Sequence, residues 1–245
     1  QYQPAVESYS KLAAVDTLGF EDAKRFGKSY YALKNDSLAL LYMEQSLAKN
    51  PDQDDLYNDM GASYMRTKQW EKAAKMFENR IKSDSTYPNG YINFALCKMA
   101  LEDFQPATKA LRTAISLRPN YIAGYLYLGR ALRGADSLKA ARQAYETMAS
   151  MADTVKNNYK NELGEAYSFI TFSYLVEKNN AQAINAVTKA IEFKPNDIEL
   201  NLWRAQILHA LDRRDEAKTQ YEKVLRLDPK NADAKKGLDI LQLYN

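Results

Sequence analysis

The sequence has little of the residues that build disulfides and metal sites. It contains one cysteine and one histidine in 245 residues. A single cysteine excludes an internal disulfide, and one histidine with one cysteine cannot supply the ligands of an ordinary zinc site. Cys97 is therefore interpreted as a small buried hydrophobic side chain. We expect neither a metal ion nor a cofactor.

Long apolar runs and an excess of one charge are missing as well. No segment approaches the roughly 18 consecutive apolar residues that indicate a membrane-spanning helix, so no membrane insertion is expected. The 34 basic and 31 acidic residues give a net charge of +3. Because nucleic-acid binding depends on clustered basic residues, this balance argues against a general nucleic-acid binder. Only nine glycines and seven prolines punctuate the chain, which favours helices.

A unit of 34 residues recurs six times along the chain. The copies are 20–53, 54–87, 88–121, 122–155, 164–197 and 198–231. One position is alanine in every copy: Ala39, Ala73, Ala107, Ala141, Ala183 and Ala217. The apolar residues of each unit are spaced three and four apart, which predicts two amphipathic helices joined by a tight turn. Prolines follow the second helix in four copies: Pro51, Pro119, Pro195 and Pro229.

A second small residue recurs in the first helix of the unit. Gly27, Gly61 and Gly129 share this position. Glycine inside a helix costs about 1 kcal/mol relative to alanine, so a packing reason is expected. We predict close approach of the second helix, with its invariant alanine facing the glycine. Large residues such as Phe77 and Tyr145 fill another shared position of the second helix.

This combination of period, small positions, aromatic positions and prolines resembles the tetratricopeptide repeat family over residues 20–231. The resemblance implies an all-α fold, an alpha-alpha superhelix in which helix-turn-helix units form a right-handed solenoid. Residues 4–16 are then predicted to be the second helix of a truncated upstream unit, and residues 232–245 a C-terminal capping helix. In the last unit Arg204 stands where a large apolar residue is expected. We expect Trp203 to compensate and this first helix to pack differently.

The repeat is interrupted once, by eight extra residues at 156–163. The apolar spacing of Tyr159 and Leu163 continues into this insertion and predicts one long first helix over 157–178. The turn before it is predicted near Asp153. Two interpretations stay open. The insertion is either a long corner of the fold or a lip that contacts a partner.

Catalytic signatures are absent from the sequence. It contains no P-loop, no GxGxxG after a strand, no HExxH and no GxSxG motif. His209 is the only side chain that titrates near neutrality when unperturbed, and no nucleophile accompanies it. Acidic pairs fall at helix starts, where carboxylates stabilise exposed amides. We therefore predict that the protein is not an enzyme.

The resemblance implies that the first helices line a concave groove that holds a partner's extended peptide or helix. The residues predicted to face this groove are Lys24, Lys28, Tyr31, Asn58, Met65, Arg66, Ile92, Leu96, Met99, Arg130, Arg133, Phe172, Gln206 and His209. Their basic members flank an apolar stretch, which suggests a peptide with an apolar centre and acidic flanks. The alternative is that Ile92, Leu96 and Phe172 pack between neighbouring first helices.

The leading prediction is a non-catalytic scaffold that binds a protein or peptide, with its oligomeric state left open. Alternatives are the targeting or regulatory part of a larger enzyme or envelope complex and, less favoured, an RNA-binding helical-repeat protein. The chain begins with Gln1, so we expect a processed or truncated chain with any targeting segment outside it. The low cysteine content and Asn/Asp/Tyr-rich turns resemble bacterial family members. This implies the periplasm or cell envelope, with the cytoplasm as the alternative.

Overall fold

A computed structural model of the chain describes residues 2–4, 6–7 and 18–243. Between residues 18 and 243 the chain forms thirteen α-helices and one 3-10 helix, and these described residues contain no strand. The predicted all-α, helix-pair fold class is confirmed. No helix in the described part of the chain is long and apolar enough to cross a membrane.

The chain divides into two compact units, Gln1–Gly124 and Tyr125–Asn245. The first unit contains α1 (Phe20–Ala32), α2 (Asp36–Lys49), α3 (Asp54–Arg66), α4 (Trp70–Ser83), α5 (Pro88–Ala100) and α6 (Phe104–Leu117). The second contains α7 (Ile122–Gly134, from Tyr125 onward), α8 (Leu138–Ala152), the 3-10 helix (Asp153–Asn158), α9 (Lys160–Val176), α10 (Asn180–Phe193), α11 (Ile198–Ala210), α12 (Arg214–Leu227) and α13 (Ala232–Leu243). Each predicted 34-residue copy therefore holds one pair of helices.

Every pair turns through one residue in the left-handed backbone region. These residues have φ between 53° and 59° and none is glycine: Lys34, Lys68, Glu102, Asp136, Lys178 and Asp212. In the second pair the N–H of Lys68 bonds to the carbonyl of Met65 at 3.0 Å, and the N–H of Gln69 to that of Tyr64 at 2.8 Å. These two bonds satisfy carbonyls that the ending helix leaves free. The turn geometry therefore recurs with the sequence period.

The recurring glycine of the first helix lies against a large side chain of the second helix. A Cβ at Gly61 would lie 2.6 Å from Cζ of Phe77, and one at Gly27 would lie 2.7 Å from Cγ of Met43. The predicted close approach of the second helix is confirmed. At Gly27 the added Cβ would also lie 3.1 Å from the carbonyl oxygen of the invariant Ala39, whereas at Gly61 the three nearest atoms all belong to the Phe77 ring. The invariant alanines are 0% exposed in all six copies. Glycine is needed because a bulky side chain fills the space above it.

The only cysteine lies inside the first unit. Cys97 is 0% exposed and joins the apolar cluster that contains Phe77 and Leu56. Burial raises the pKa of its thiol to about 12. The interpretation of Cys97 as a buried hydrophobic residue is confirmed.

The last helix pair packs around a polar group. Asn201 is 0% exposed, and its Oδ1 accepts a hydrogen bond from Nε2 of Gln220 at 2.7 Å. The Oε1 of Gln220 accepts a hydrogen bond from Nη1 of Arg204 at 3.2 Å. Gln220 on α12 thus binds one amino group of Arg204, whose buried Nε has no partner among the described residues. Trp203 instead lies half-buried beside Phe172. A buried polar side chain is retained here because it has polar partners.

The insertion is divided between two kinds of helix. The 3-10 helix ends at Asn158, and α9 begins at Lys160 instead of residue 157. Val155 (φ −126°, ψ 26°) and Tyr159 (φ −129°, ψ 27°) both leave the helical region, so the chain kinks before α9 starts. The predicted extension of the first helix is therefore about one turn, from Lys160 to Leu163, because those kinks interrupt the apolar spacing.

The two ends of the repeat region differ in how far they are described. Residues 2–4 and 6–7 are helical, and the rest of the predicted helix over 4–16 lies outside the described residues. Val6 packs with Leu18 and Phe26 in one apolar cluster. At the other end α13 closes over Tyr221, whose ring an added Cβ at Gly237 would meet.

Candidate functional site

Two basic residues that were predicted to face a partner are held by a carboxylate of the first unit. The Nζ atoms of Lys24 and Lys28 lie 2.8 and 2.6 Å from the two oxygens of Asp55. Nζ of Lys28 also lies 3.8 Å from Asp59. Burial pulls the pKa of Asp55 upward, but hydrogen bonds from both lysines outweigh it and lower that pKa. These two positive charges are therefore already compensated within the chain.

Arg66 is occupied in the same way. Its Nε donates to both oxygens of Asp36 at 2.9 Å, and its Nη2 also contacts Asp36. The guanidinium lies 4.5 Å from the centre of the Tyr31 ring, a second predicted site residue. The hydrogen bonds from Arg66 lower the pKa of Asp36. Arg66 and Tyr31 thus join two helix pairs of the first unit.

The apolar residues predicted to face a partner in the first unit are mostly covered. Ile92 is only 4% exposed, so it belongs to the interior, as the alternative interpretation held. Met65, Leu96 and Met99 are half-buried. Asn58 donates from Nδ2 to the hydroxyl of Tyr87 at 3.4 Å, while its buried Oδ1 has no partner among the described residues.

In the second unit Arg130 is also paired. Its Nε and Nη2 donate to the two oxygens of Glu165 at 2.9 and 2.5 Å, and the hydroxyl of Tyr145 donates to the same carboxylate at 3.1 Å. Burial pulls the pKa of Glu165 upward, but the hydrogen bond from Arg130 and its charge outweigh burial and lower it. Glu165 is therefore ionised, and its charge is neutralised by Arg130.

A cavity of about 580 Å³ opens beside this ion pair. It is lined by Arg133, Asp136, Leu138, Glu165, Ser168, Phe169, Phe172, Lys194 and Trp203. Phe172 is 41% exposed, and its ring centre lies 6.2 Å from that of Phe169 and 6.5 Å from that of Trp203. Three aromatic rings from two helices thus form an apolar wall that solvent reaches.

Two cations at this cavity lack a carboxylate partner. Arg133 is exposed in the last turn of α7, and Lys194 is half-buried at the end of α10. Neither forms an ion pair with any residue that the structure describes. The nearby charge of Arg133 contributes to the lowered pKa of Glu165. Positive charge at the cavity is therefore available to a ligand.

The cavity gathers only part of the predicted set. Arg133 and Phe172 line it. Gln206 is exposed outside the lining, and His209 meets the edge of the Tyr221 ring, with centres 6.3 Å apart. Helical spacing missed Lys194, because it ends a second helix. Trp203 was predicted only to compensate for Arg204, whereas in the structure it lines the cavity beside Phe172.

The described ranges contain no candidate metal site. There, no group of three or more His, Cys, Asp or Glu side chains could hold a metal ion. The cavity offers an apolar wall with adjacent charge, an arrangement that suits recognition of a ligand.

Comparison with known proteins adds two family matches. Residues 88–121 and residues 174–239 each match a family model described as tetratricopeptide repeat. The chain is also 22% identical over 215 residues to DnaJ homolog subfamily C member 7 of Homo sapiens. That alignment covers 87% of this chain and 37% of the relative, so the chain spans little more than a third of that relative's length.

Two solved structures share the fold. The C-terminal part of a tetratricopeptide-repeat (TPR) protein from Cytophaga hutchinsonii gives a TM-score of 0.64 at 20% identity, covering 97% of this chain and 81% of its own. YrrB, described as a TPR protein with an unusual peptide-binding site, gives a TM-score of 0.58 at 21% identity, covering 70% of this chain and 84% of its own. At these identities the likeness concerns the fold.

Proposed function

We propose that this chain, which is a tetratricopeptide repeat protein, is a scaffold that binds a partner peptide at the cavity of its second unit. Proteins of this family are generally protein-interaction scaffolds, and YrrB is described as having a peptide-binding site. The observation that carries the proposal is the exposure of Phe172 beside Trp203 in that cavity.

The dimensions and lining of the cavity support a peptide ligand. Its volume of about 580 Å³ lies within the several hundred Å³ typical of ligand sites. Aromatic and arginine side chains dominate the energetics of protein interfaces, and both occur here as Phe172, Trp203 and Arg133. A peptide side chain laid on the aromatic wall would bury surface that now faces water.

The ion pairs of the first unit favour a peptide-binding site in the second unit. Lys24, Lys28 and Arg66 are paired with Asp55 or Asp36, so a partner would have to break an existing ion pair to use them. Charge reversal of Arg66 or Arg130 would place two carboxylates together and disturb the fold. The test must therefore change the aromatic wall instead.

Trp203 gives this proposal a direct readout. The chain has two tryptophans, so Trp70→Phe leaves Trp203 as the single indole fluorophore. Peptides selected from a displayed random library against this variant are expected to shift the emission of Trp203 on titration. Phe172→Ala should weaken their binding about tenfold or more, as expected for loss of an aromatic hot spot.

Val176→Ala supplies the matched control. Val176 is 53% exposed on the same helix but does not line the cavity. It should bind the selected peptides as wild type does, and circular dichroism should show that all variants are folded. Peptides that bind equally well to Phe172→Ala, with no change at Trp203, would remove the proposal.

The wider context of the scaffold is also proposed. Because the chain spans 37% of the human relative, it fits the targeting or regulatory portion of a longer protein. A non-catalytic role and a bacterial envelope location form part of this proposal. Activity assays on the full reading frame test the first, and fractionation of the source cells tests the second against the cytoplasm.

A further inference from the structure

We infer that the preferred ligand of this cavity is a peptide in which a large apolar side chain is flanked by aspartate or glutamate. This inference rests on the proposed function and adds the chemistry of the partner. It follows from the aromatic wall of the cavity, from the two cations at it, and from the carboxylates that share it.

The apolar part of the ligand is set by the aromatic wall. Phe169 is 6% exposed and forms its base, whereas Phe172 is 41% exposed. The rings of Phe172 and Trp203 are tilted by 33° with centres 6.5 Å apart, so they present an open corner instead of a closed stack. Leu138 adds an aliphatic surface. A phenylalanine or leucine side chain matches this lining, whereas a small or charged side chain would leave the aromatic surface exposed to water.

The acidic part is set by which cations remain available. Lys28, Arg66 and Arg130 were all predicted to bind acidic flanks, yet each is held by a carboxylate of its own unit. Arg133 was predicted with them and has no such partner among the described residues, and neither has Lys194. An arginine without a partner beside an apolar wall can bind a carboxylate through two parallel hydrogen bonds.

The carboxylates at the cavity limit how much negative charge it accepts. Asp136 is exposed and is not in an ion pair with another described residue. Glu165 is neutralised by Arg130 but still occupies the lining. A string of phosphates would meet these groups, whereas one or two side-chain carboxylates can approach Arg133 and Lys194. This favours an acidic peptide over single-stranded RNA, whose bases also stack on aromatic rings.

The experiment compares four probes on the Trp70→Phe protein. Three are eight-residue peptides with acetylated and amidated ends, so that no terminal carboxylate contributes. One has a phenylalanine between glutamates, one replaces the glutamates by lysines, and one replaces the phenylalanine by alanine. The fourth is an eight-nucleotide oligouridine. We expect the phenylalanine–glutamate peptide to bind about tenfold or more tightly than each of the others at low salt, with the preference falling as salt rises.

Variants of Arg133 test whether this residue causes the preference for glutamate over lysine in the peptide. Arg133→Gln should reduce the preference for glutamate over lysine to about threefold or less, and Arg133→Glu should reverse it. Arg226→Glu is the matched control, because Arg226 is an exposed arginine in the last turn of α12 outside the cavity. It should leave the preference unchanged.

The outcomes separate this inference from the proposed function. Library peptides that require Phe172 but show no preference for acidic flanks would overturn the inference and leave the scaffold function standing. Tighter binding of oligouridine than of any peptide would overturn both, in favour of an RNA ligand. A glutamate preference that survives Arg133→Glu would also overturn the inference, because the charge would then be read elsewhere.

Discussion

The guanidinium of Arg130 donates hydrogen bonds to both carboxylate oxygens of Glu165, with Nε and Nη2 at 2.9 and 2.5 Å. Arg130 is the ninth residue of its repeat copy and Glu165 the second residue of the next. Lys28 and Asp55, 2.6 Å apart, occupy the same two positions in the first unit. Neighbouring first helices are thus joined by ion pairs at equivalent positions in both units, and we expect these pairs to stabilise the stacking of repeats.

The Arg130–Glu165 pair should show a measurable coupling. Arg130→Met and Glu165→Gln should each destabilise the protein, and the double variant should lose less than the sum. Because the side chains are 35% and 25% exposed, a coupling of about 0.5–1 kcal/mol is expected from urea denaturation followed by circular dichroism. If the double variant loses as much stability as the two single variants together, the two side chains are not coupled and the ion pair does not contribute to stability.

The Asp36–Arg66 pair should make stability depend on acid. The hydrogen bonds from Arg66 lower the pKa of Asp36 from 3.8. A lowered folded-state pKa gives stability that is complete above the unfolded value and is lost as pH falls through the folded one. The difference in free energy of unfolding between wild type and Asp36→Asn should therefore be constant above about pH 5 and shrink below pH 3.8.

Arg66→Met is the background that checks this assignment. With the guanidinium removed, Asp36→Asn should change the slope of stability against pH much less, because Arg66 is the largest of the causes that lower the pKa of Asp36. An undiminished effect of Asp36→Asn in that background would show that Arg66 is not what lowers this pKa.

The helix pairs could be predicted because the sequence repeats with a fixed period and places small residues at the same positions in each copy. The period, the alanines and the glycines fix which faces pack, since a helix interior tolerates small residues only where another chain segment approaches. The start of α9 could not be predicted from apolar spacing. Tyr159 and Leu163 keep helical spacing, but the backbone kinks at Tyr159 itself.

The site could be predicted only in part. Spacing within a helix indicates which side chains share a face, and it found Arg133 and Phe172. It cannot show that Arg66 meets Asp36, 30 residues earlier, or that Arg130 meets Glu165, 35 residues later. Those pairings depend on how helix pairs stack, so the available cations became apparent only in the structure.

Replacing a left-handed turn residue by glycine should stabilise the protein. Lys68 has φ 58°, a conformation that costs a residue with a Cβ about 1 kcal/mol and glycine little. Lys68→Gly should therefore raise the free energy of unfolding by about 0.5–1 kcal/mol. Lys109→Gly is the control, because it places glycine inside α6 at an exposed position and should cost about 1 kcal/mol. Destabilisation by both variants would contradict the strain at the turn.

We expect the side-chain sizes at positions 61 and 77 to be coupled, so that a larger residue at 61 is tolerated better when residue 77 is smaller. A Cβ at Gly61 would lie 2.6–2.9 Å from three ring carbons of Phe77, so Gly61→Ala should cost about 1–3 kcal/mol by overpacking. In the third repeat copy the same two positions are Ala95 and Leu111, both 0% exposed. Phe77→Leu should therefore recover part of the loss in Gly61→Ala, although alone it destabilises by leaving a cavity. Gly19→Ala is the control, because its Cβ would meet only Asp22 at 3.8 Å. Since Gly19 is the N-cap of α1, any loss should come from capping and should not be recovered by Phe77→Leu. Additive losses in the Gly61→Ala, Phe77→Leu double variant would mean that the glycine is required by something other than the ring.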